Sequence, residues 1–236
     1  MKIALLGYGR MGKAIEKIAN TRGHDIVCII DKGYSEGSLY QANVAINFSV
    51  PNAAVNNISL ALKNSIPVIC GTTGWLDDYD NITQIALKNN TGFLYASNFS
   101  IGVNLFFKLN EYLAKLFQNH SDYRPLIEET HHIHKIDKPS GTAITLAEGI
   151  LNNSNLKKWC EDEPDEGELE IKSTREAEIP GTHAIHYRSS IDAITIKHEA
   201  FNRKGFALGA VLAAEWIVGK KGIFKMEDVL NIKQYE

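Results

Sequence analysis

Short apolar runs alternate with longer stretches of helical spacing through the first hundred residues. Residues 2–6 form an apolar run that ends at Gly7, and Met11, Ile15, Ile18 and Ala19 then recur on one face over residues 11–21. Further apolar runs follow at residues 25–30, 44–48, 67–70 and 93–96, separated by helical stretches from Pro51 to about Asn64 and over residues 78–90. Strands that are continuously apolar, rather than alternating, are buried on both faces. Their alternation with helices predicts a parallel sheet covered on both sides.

The second half is patterned differently. Residues 101–117 carry helical periodicity. Residues 168–174, 182–188 and 192–198 alternate in the manner of strands and follow one another without intervening helices. This predicts a mixed or antiparallel sheet with one face open to a partner. A polar, acidic stretch between Ile150 and Gly167 reads as an exposed loop, and residues 205–218 read as a helix rich in small residues. The shift in pattern near Asn98 sets a boundary: residues 1–99 as one domain, 100–204 as a second, and 205–236 returning to the first. The fold class is therefore α/β, with a Rossmann-like parallel-sheet domain and an α+β domain.

Composition narrows the function classes. The 236 residues are 44% hydrophobic and 22% charged, as in ordinary globular chains, and the formal charge of −3 gives no basic bias toward nucleic acid or anionic lipid. No uninterrupted apolar stretch is long enough to span a bilayer, and the apolar start reads as a strand entering a glycine motif rather than a signal peptide. Cys28, Cys70 and Cys160 are odd in number and far apart, which fits buried thiols in a reducing cytoplasm.

The glycine motif is Gly7-Tyr8-Gly9-Arg10-Met11-Gly12. It follows the first predicted strand and opens the first predicted helix, the context in which glycines allow a tight turn and close approach of a pyrophosphate to a helix N-terminus. Asp31 stands at the end of the second predicted strand, where a carboxylate accepts hydrogen bonds from the ribose hydroxyls of NADH. The adjacent Lys32 is placed to pair with the 2′-phosphate of NADPH, so both cofactors are expected. Ligands of open α/β sheets sit at the carboxyl ends of strands. Here those ends carry Phe48-Ser49, Gly71-Thr72-Thr73-Gly74 and Ala96-Ser97-Asn98-Phe99.

Six of the eight histidines fall between His131 and His198. The densest segment runs from Glu129 through His131, His132, His134, Lys135, Asp137 and Pro139-Ser140-Gly141-Thr142. Three uses of it compete. A metal site would need histidines plus a carboxylate, but the His-His-x-His spacing on a loop lacks the one-face geometry of helical zinc motifs. The histidines can also be ordinary surface or core residues. In the third use, His131 and His132 supply protons or hydrogen bonds near neutral pH and Lys135 supplies a fixed positive charge. Ser140 then caps a helix whose Gly141 and Thr142 amides face a carboxylate.

These motifs together resemble the dihydrodipicolinate reductase family, also called 4-hydroxy-tetrahydrodipicolinate reductases. The matching residues are the glycine start, Asn47-Phe48-Ser49-x-Pro51, Gly71-Thr72-Thr73-Gly74, the segment from Ser97 through Asn104, and Glu129-x-His131-His132-x-x-Lys135-x-Asp137-x-Pro139-Ser140-Gly141-Thr142-Ala143. Ile179-Pro180-Gly181-x-His183, His198-x-Ala200 and Arg203-x-x-Phe206-Ala207-x-Gly209-Ala210 follow in family order. The resemblance implies reduction of a cyclic imine dicarboxylate by NADH or NADPH in the diaminopimelate route to lysine, in a homotetramer; a cytoplasmic location is expected from the cysteines and start of the chain, and chemistry without a metal from reading the histidines as acids and anion binders. It also implies that His131 and Lys135 are catalytic, that His132, Gly141 and Thr142 bind substrate, and that Gly7 to Gly12, Asp31, Lys32, Gly71 to Thr73 and Ala96 to Phe99 hold the cofactor.

The chain departs from the family pattern at Lys138, where alanine is usual, at Ala177, where glycine is common, and in a short connection between the second and third predicted strands. Competing functions are another NAD(P)-dependent amino- or imino-acid dehydrogenase, and a non-enzymatic dinucleotide sensor that would need neither His131 nor Lys135. A metal-dependent hydrolase would need neither the glycine loop nor Asp31.

Overall fold

The structure is a computed structural model that describes residues 1–161 and 163–232. Asp162 of the acidic stretch, and residues 233–236 of the segment expected to return to the first domain, lie outside the described residues. The described residues separate into two compact units, Met1–Ile101 with residues 203–232, and Gly102–Asn202.

The first unit is built on a seven-stranded sheet. Its strands are β1 (Lys2–Leu6), β2 (Asp25–Asp31), β3 (Tyr34–Gly37), β4 (Val44–Asn47), β5 (Val68–Cys70), β6 (Gly92–Tyr95) and, from the C-terminal part of the chain, β12 (Gly222–Phe224). The order is β12-β6-β5-β4-β1-β2-β3. All neighbours are parallel except β3, a short strand that folds back antiparallel on β2. Its four exposed residues gave no strand signal, because nothing on either face is buried.

The apolar runs are continuous because both faces are covered. Ile3 and Leu5 point into one core with Ile15 and Ala19 of α1 (Arg10–Thr21) and the alanine-rich face of α6 (Lys204–Ile217). Ala4 and Leu6 point into the opposite core with Ala54, Ile58, Ala61 and Leu62 of α2 (Pro51–Lys63) and with Ile82 and Ala86 of α3 (Tyr79–Lys88). Small residues let α6 lie close: a Cβ on Gly209 would stand 1.7 Å from the Phe99 carbonyl oxygen. From β1 the chain proceeds to β2 on one side, and β4 pairs on the other. The carboxyl ends of β1 and β4 therefore flank the point where the winding reverses, the position at which such sheets bind ligands.

The second unit holds a five-stranded mixed sheet. Its strands are β7 (Arg124–His131), β8 (Lys158–Cys160), β9 (Glu168–Arg175), β10 (Thr182–Arg188) and β11 (Ala193–Glu199), in the order β11-β10-β7-β9-β8. β10 is antiparallel to β7 and β11, whereas β9 is parallel to β7 and β8. The helices α4 (Ile101–Phe117) and α5 (Gly141–Leu151) share one core with this sheet through Phe106, Leu113, Leu146 and Ile150 against Ile127, Leu169, Ile171 and Ile185.

Two further features depart from the sequence reading. His131 ends strand β7 instead of lying on a loop, because Ile127, Glu129 and His131 alternate inward as a buried strand face whose polar members hid the pattern. The acidic stretch contains the short strand β8, paired with β9. Among the described residues, no helix is long and apolar enough to cross a membrane.

Candidate active site

In the first unit the glycine motif turns from β1 into α1. Gly7 adopts φ +99°, and a Cβ there would lie 2.3 Å from the Phe48 carbonyl oxygen. A Cβ on Gly12 would lie 2.4 Å from the Gly7 carbonyl oxygen. These two glycines are needed for close packing of backbone on backbone. Gly9 differs: a Cβ there would meet nothing within 4 Å, and as N-cap of α1 it provides no side-chain cap. The first-turn amides of α1 thus have open space before them and no capping side chain, the arrangement a pyrophosphate completes. That is the observation by which the unit fits a dinucleotide.

The remaining residues assigned to the cofactor divide by exposure. Asp31 and Lys32 are exposed at the end of β2, and Asp31 Oδ1 accepts the Lys32 backbone N–H at 2.9 Å. The Tyr8 hydroxyl donates to Glu16. Arg10 is exposed, and Met11 packs against the core. Gly71 sits against the Phe48 ring, where a Cβ would come within 2.2 Å. The Thr72 hydroxyl is turned inward, accepting from the Ser49 backbone N–H at 2.8 Å and from Asn47 Nδ2 at 3.2 Å, while Thr73 is exposed. Ala96 and Asn98 are half-buried and Ser97 is exposed. Phe99 is in the core, its ring centroid 5.6 Å from that of Phe48.

In the second unit the register of the sheet places polar residues together. On β7, Glu129 lies opposite His183 of β10 and Ser173 of β9, and His131 lies opposite Arg175. The same face that carries Ile127, Ile171 and Ile185 one pair earlier becomes, at its end, a layer of Glu129, Ser173, His183, His131 and Arg175. The N-terminus of α5 stands over that layer. Ser140 caps the helix by accepting the Ala143 N–H at 3.1 Å, and its own N–H donates to Glu129 Oε1 at 3.0 Å.

Glu129 is the hub. Its side chain is fully buried, Arg175 Nη2 lies 3.2 Å from Oε1, and His131 Nδ1 and His183 Nε2 lie 3.3 and 3.6 Å from Oε2. Burial pushes this carboxyl up, but the surrounding His131, His183, Ser140 and Ser173 outweigh it and hold Glu129 well below the ordinary carboxylate range. Burial pushes His183 below its ordinary value, against the opposing pull of Glu129, and the nearby His131 lowers it further. His183 therefore remains largely neutral at neutral pH.

Arg175 also holds the loop after β7, its Nη2 donating to the Asp137 carbonyl at 2.6 Å and its Nε to the Lys135 carbonyl at 3.4 Å. Lys135 Nζ pairs with both carboxylate oxygens of Asp137, at 2.8 and 2.7 Å. Gly141 is exposed with open space beside it, Thr142 and His132 are half-buried, and His134 points outward to Glu178.

Of the residues assigned to substrate and catalysis, the structure joins His131, Lys135 and the start of α5 through Glu129 and Arg175. The sequence reading gave no role to Glu129, Arg175 or His183. The period-two spacing of Ile127, Glu129 and His131 is the signal that could have placed Glu129 beneath His131. The pairing of His183 and Arg175 with that face depends on strand register, which no local pattern reports.

A doubly wound sheet with an open glycine turn at its switch point, carried with a buried cluster of histidine, arginine and glutamate at a helix N-terminus, fits an NAD(P)H-dependent oxidoreductase. The comparisons with known proteins make the assignment particular. Family models described as the N-terminus and C-terminus of dihydrodipicolinate reductase match residues 1–99 and 102–230. A 4-hydroxy-tetrahydrodipicolinate reductase of Christiangramia forsetii is 55% identical over 98% of both chains. One of Archaeoglobus fulgidus is 34% identical over 98% of this chain and all of that one. A dipicolinate-bound dihydrodipicolinate reductase from Paenisporosarcina sp. TG-14 has the same fold, with a TM-score of 0.79 at 24% identity over 99% of each chain. The chain belongs to the dihydrodipicolinate reductase family.

Proposed function

We propose that the protein reduces 4-hydroxy-tetrahydrodipicolinate to tetrahydrodipicolinate in the diaminopimelate route to lysine, with His131 and Lys135 as its catalytic residues. Loss of the 4-hydroxyl as water leaves a conjugated cyclic imine. NADH or NADPH, held by the glycine turn, Asp31, Lys32 and the strand ends at Gly71 to Thr73 and Ala96 to Phe99, supplies the hydride for ring carbon 4. A proton is then added at carbon 3. Lys135, His132 and the Gly141 and Thr142 amides neutralise the two carboxylates, and His131 and Lys135 handle the proton.

The observation that carries this assignment is the Ser140–Glu129 bond. It seats the α5 N-terminus, a natural carboxylate site, over the strand end that bears His131. Dipicolinate in the Paenisporosarcina protein is a planar ring dicarboxylate and supports a substrate of that class. Glu129, His131 and His183 bring ligand-type atoms within 4.8 Å of one another, but the Arg175 guanidinium on the same carboxylate opposes a cation there, which favours chemistry without a metal.

A homotetramer in the cytoplasm completes the proposal. β11 is an edge strand, with Ile194 46% and the adjoining Ile191 89% exposed, and unpaired edges of this kind invite association. The test is loss of reduced-nicotinamide absorbance on adding the freshly made cyclic precursor. Turnover that survives strong chelator is expected. Silence with this precursor and activity with another keto or imino acid would overturn the assignment.

A further inference from the structure

We propose that Glu129 is the positioning residue for His131: it fixes the proton of the neutral imidazole on Nδ1 and leaves Nε2 as the atom that exchanges a proton with substrate. The inference rests on the assignment of His131 to proton handling made above.

The two oxygens of Glu129 have different company. Oε1 faces the Ser140 N–H and the Arg175 guanidinium, groups that donate and cannot accept. Oε2 faces His131 Nδ1 at 3.3 Å. Among the described residues neither buried atom makes a hydrogen bond of ordinary geometry, and the 3.3 Å approach between them is the shorter of the two that Oε2 makes to an imidazole nitrogen. Two acceptors set against each other in a dry site would leave both unsatisfied, which folded proteins avoid. A proton therefore lies between them. It resides on nitrogen, because the Ser140 N–H and the Arg175 guanidinium on Oε1 favour the ionised carboxyl. His183 does not displace His131 from this role. Its Nε2 is farther from Oε2, at 3.6 Å, and has the Ser140 hydroxyl at 3.2 Å as a partner of its own.

The opposite edge of the imidazole is kept clear. Gly181 adopts φ +154°, and a Cβ there would stand 3.0 Å from His131 Nε2 and 3.2 Å from Cδ2. Any other residue would press on the atom that the proposal makes reactive. The charges also suit the substrate. Arg175 offsets the charge of Glu129, so a doubly protonated His131 gives the cluster one positive charge to face a dicarboxylate. In the reaction, the enamine left by hydride addition at carbon 4 takes the proton at carbon 3. The Nε2–H bond breaks, its electron pair stays on nitrogen, and Nδ1–H remains on Glu129. The neutral imidazole is then reprotonated from solvent.

Glu129→Gln tests this directly. The two donors at the Oε1 position require the amide oxygen there, so the NH₂ group takes the Oε2 position and donates toward His131 Nδ1. His131 must then carry its proton on Nε2 and cannot hold a second one on Nδ1. Nitrogen-15 NMR of the histidine rings, with the His131 signal assigned by its loss in His131→Ala, should show the Nδ1–H form in the wild type and the Nε2–H form in Glu129→Gln. kcat should fall by roughly 10²-fold or more, while KM changes by less than about threefold. A wild-type His131 protonated on Nε2 would overturn the proposal without recourse to any variant. So would an unchanged tautomer, or unchanged kcat, in a folded Glu129→Gln. Normal turnover by His131→Ala would instead defeat the assignment of His131 and leave the tautomer result standing.

Discussion

Two helix N-termini, that of α1 in the first unit and that of α5 in the second, are built by opposite means for the anions proposed to bind there. α1 begins at Gly9, which offers no side chain to its own amides and has open space around it. α5 begins at Ser140, whose hydroxyl takes the Ala143 N–H and whose own N–H is spent on a buried carboxylate. In the proposed function the first terminus leaves its donors to a large, doubly charged pyrophosphate and needs only a turn that can pass close to β4. The second is fixed in place before any ligand arrives and is surrounded by titratable side chains. Binding alone requires exposed backbone dipoles, whereas binding with proton transfer requires groups held in a defined protonation state, and a buried network supplies that.

The comparison breaks most sharply under substitutions that disable one terminus and spare the other. Lys135→Ala and His131→Ala should each lower kcat by about two orders of magnitude or more, the usual cost of removing a positioned acid. Cofactor affinity, measured by fluorescence titration of the reduced nicotinamide, should stay within about twofold. His134→Ala is the control, since that side chain points outward to Glu178, and it should lose little. If His134→Ala were as damaging as His131→Ala, the catalytic assignment of this segment would be wrong. Gly12→Ala is the converse. Its Cβ would meet the Gly7 carbonyl at 2.4 Å, so the glycine turn must shift and cofactor Kd should rise by roughly tenfold or more, in line with the loss of about 1.4 kcal/mol.

A smaller effect sharpens the account of the first unit. Lys32 is exposed beside Asp31, whose carboxylate already accepts the Lys32 backbone N–H. Lys32→Ala should weaken NADPH more than NADH, by about threefold to tenfold, because only NADPH presents a 2′-phosphate to a surface cation. Equal losses would show that Lys32 does not reach that phosphate.

The smallest expected effect lies in the second unit. Ala177 sits at φ +45°, in the left-handed region that L side chains disfavour, and its carbonyl receives the Ile133 N–H at 3.2 Å. Ala177→Gly should relieve about 1 kcal/mol of strain, offset in part by the greater freedom of glycine in the unfolded chain. A thermal melt should therefore rise by a degree or more with kcat unchanged. A lowered Tm would show that the loop after β9 tolerates this conformation without strain.

The two units also differ in how far their sequences disclosed them. In the first, each apolar run is a strand buried on both faces, and Gly7 to Gly12 and Asp31 fall where local steric rules put a nucleotide turn. Hydrophobic periodicity and glycine spacing are properties of neighbouring residues, so the chain determined these features by itself. It also determined α4, α5 with its serine cap, and the strands β9 and β10, whose alternation is local. β3, β8 and β12 were not legible, since three or four residues with little buried surface carry no periodic signal. Tertiary structure alone decided the hub at Glu129. That residue is separated from Arg175 and His183 by more than forty positions, and only the register of β7 against β9 and β10 brings a carboxylate, a guanidinium and two imidazoles to one buried point. The types of the groups were written in the chain. Which nitrogen faces which oxygen was not, because long-range strand pairing sets distances that local chemistry cannot fix.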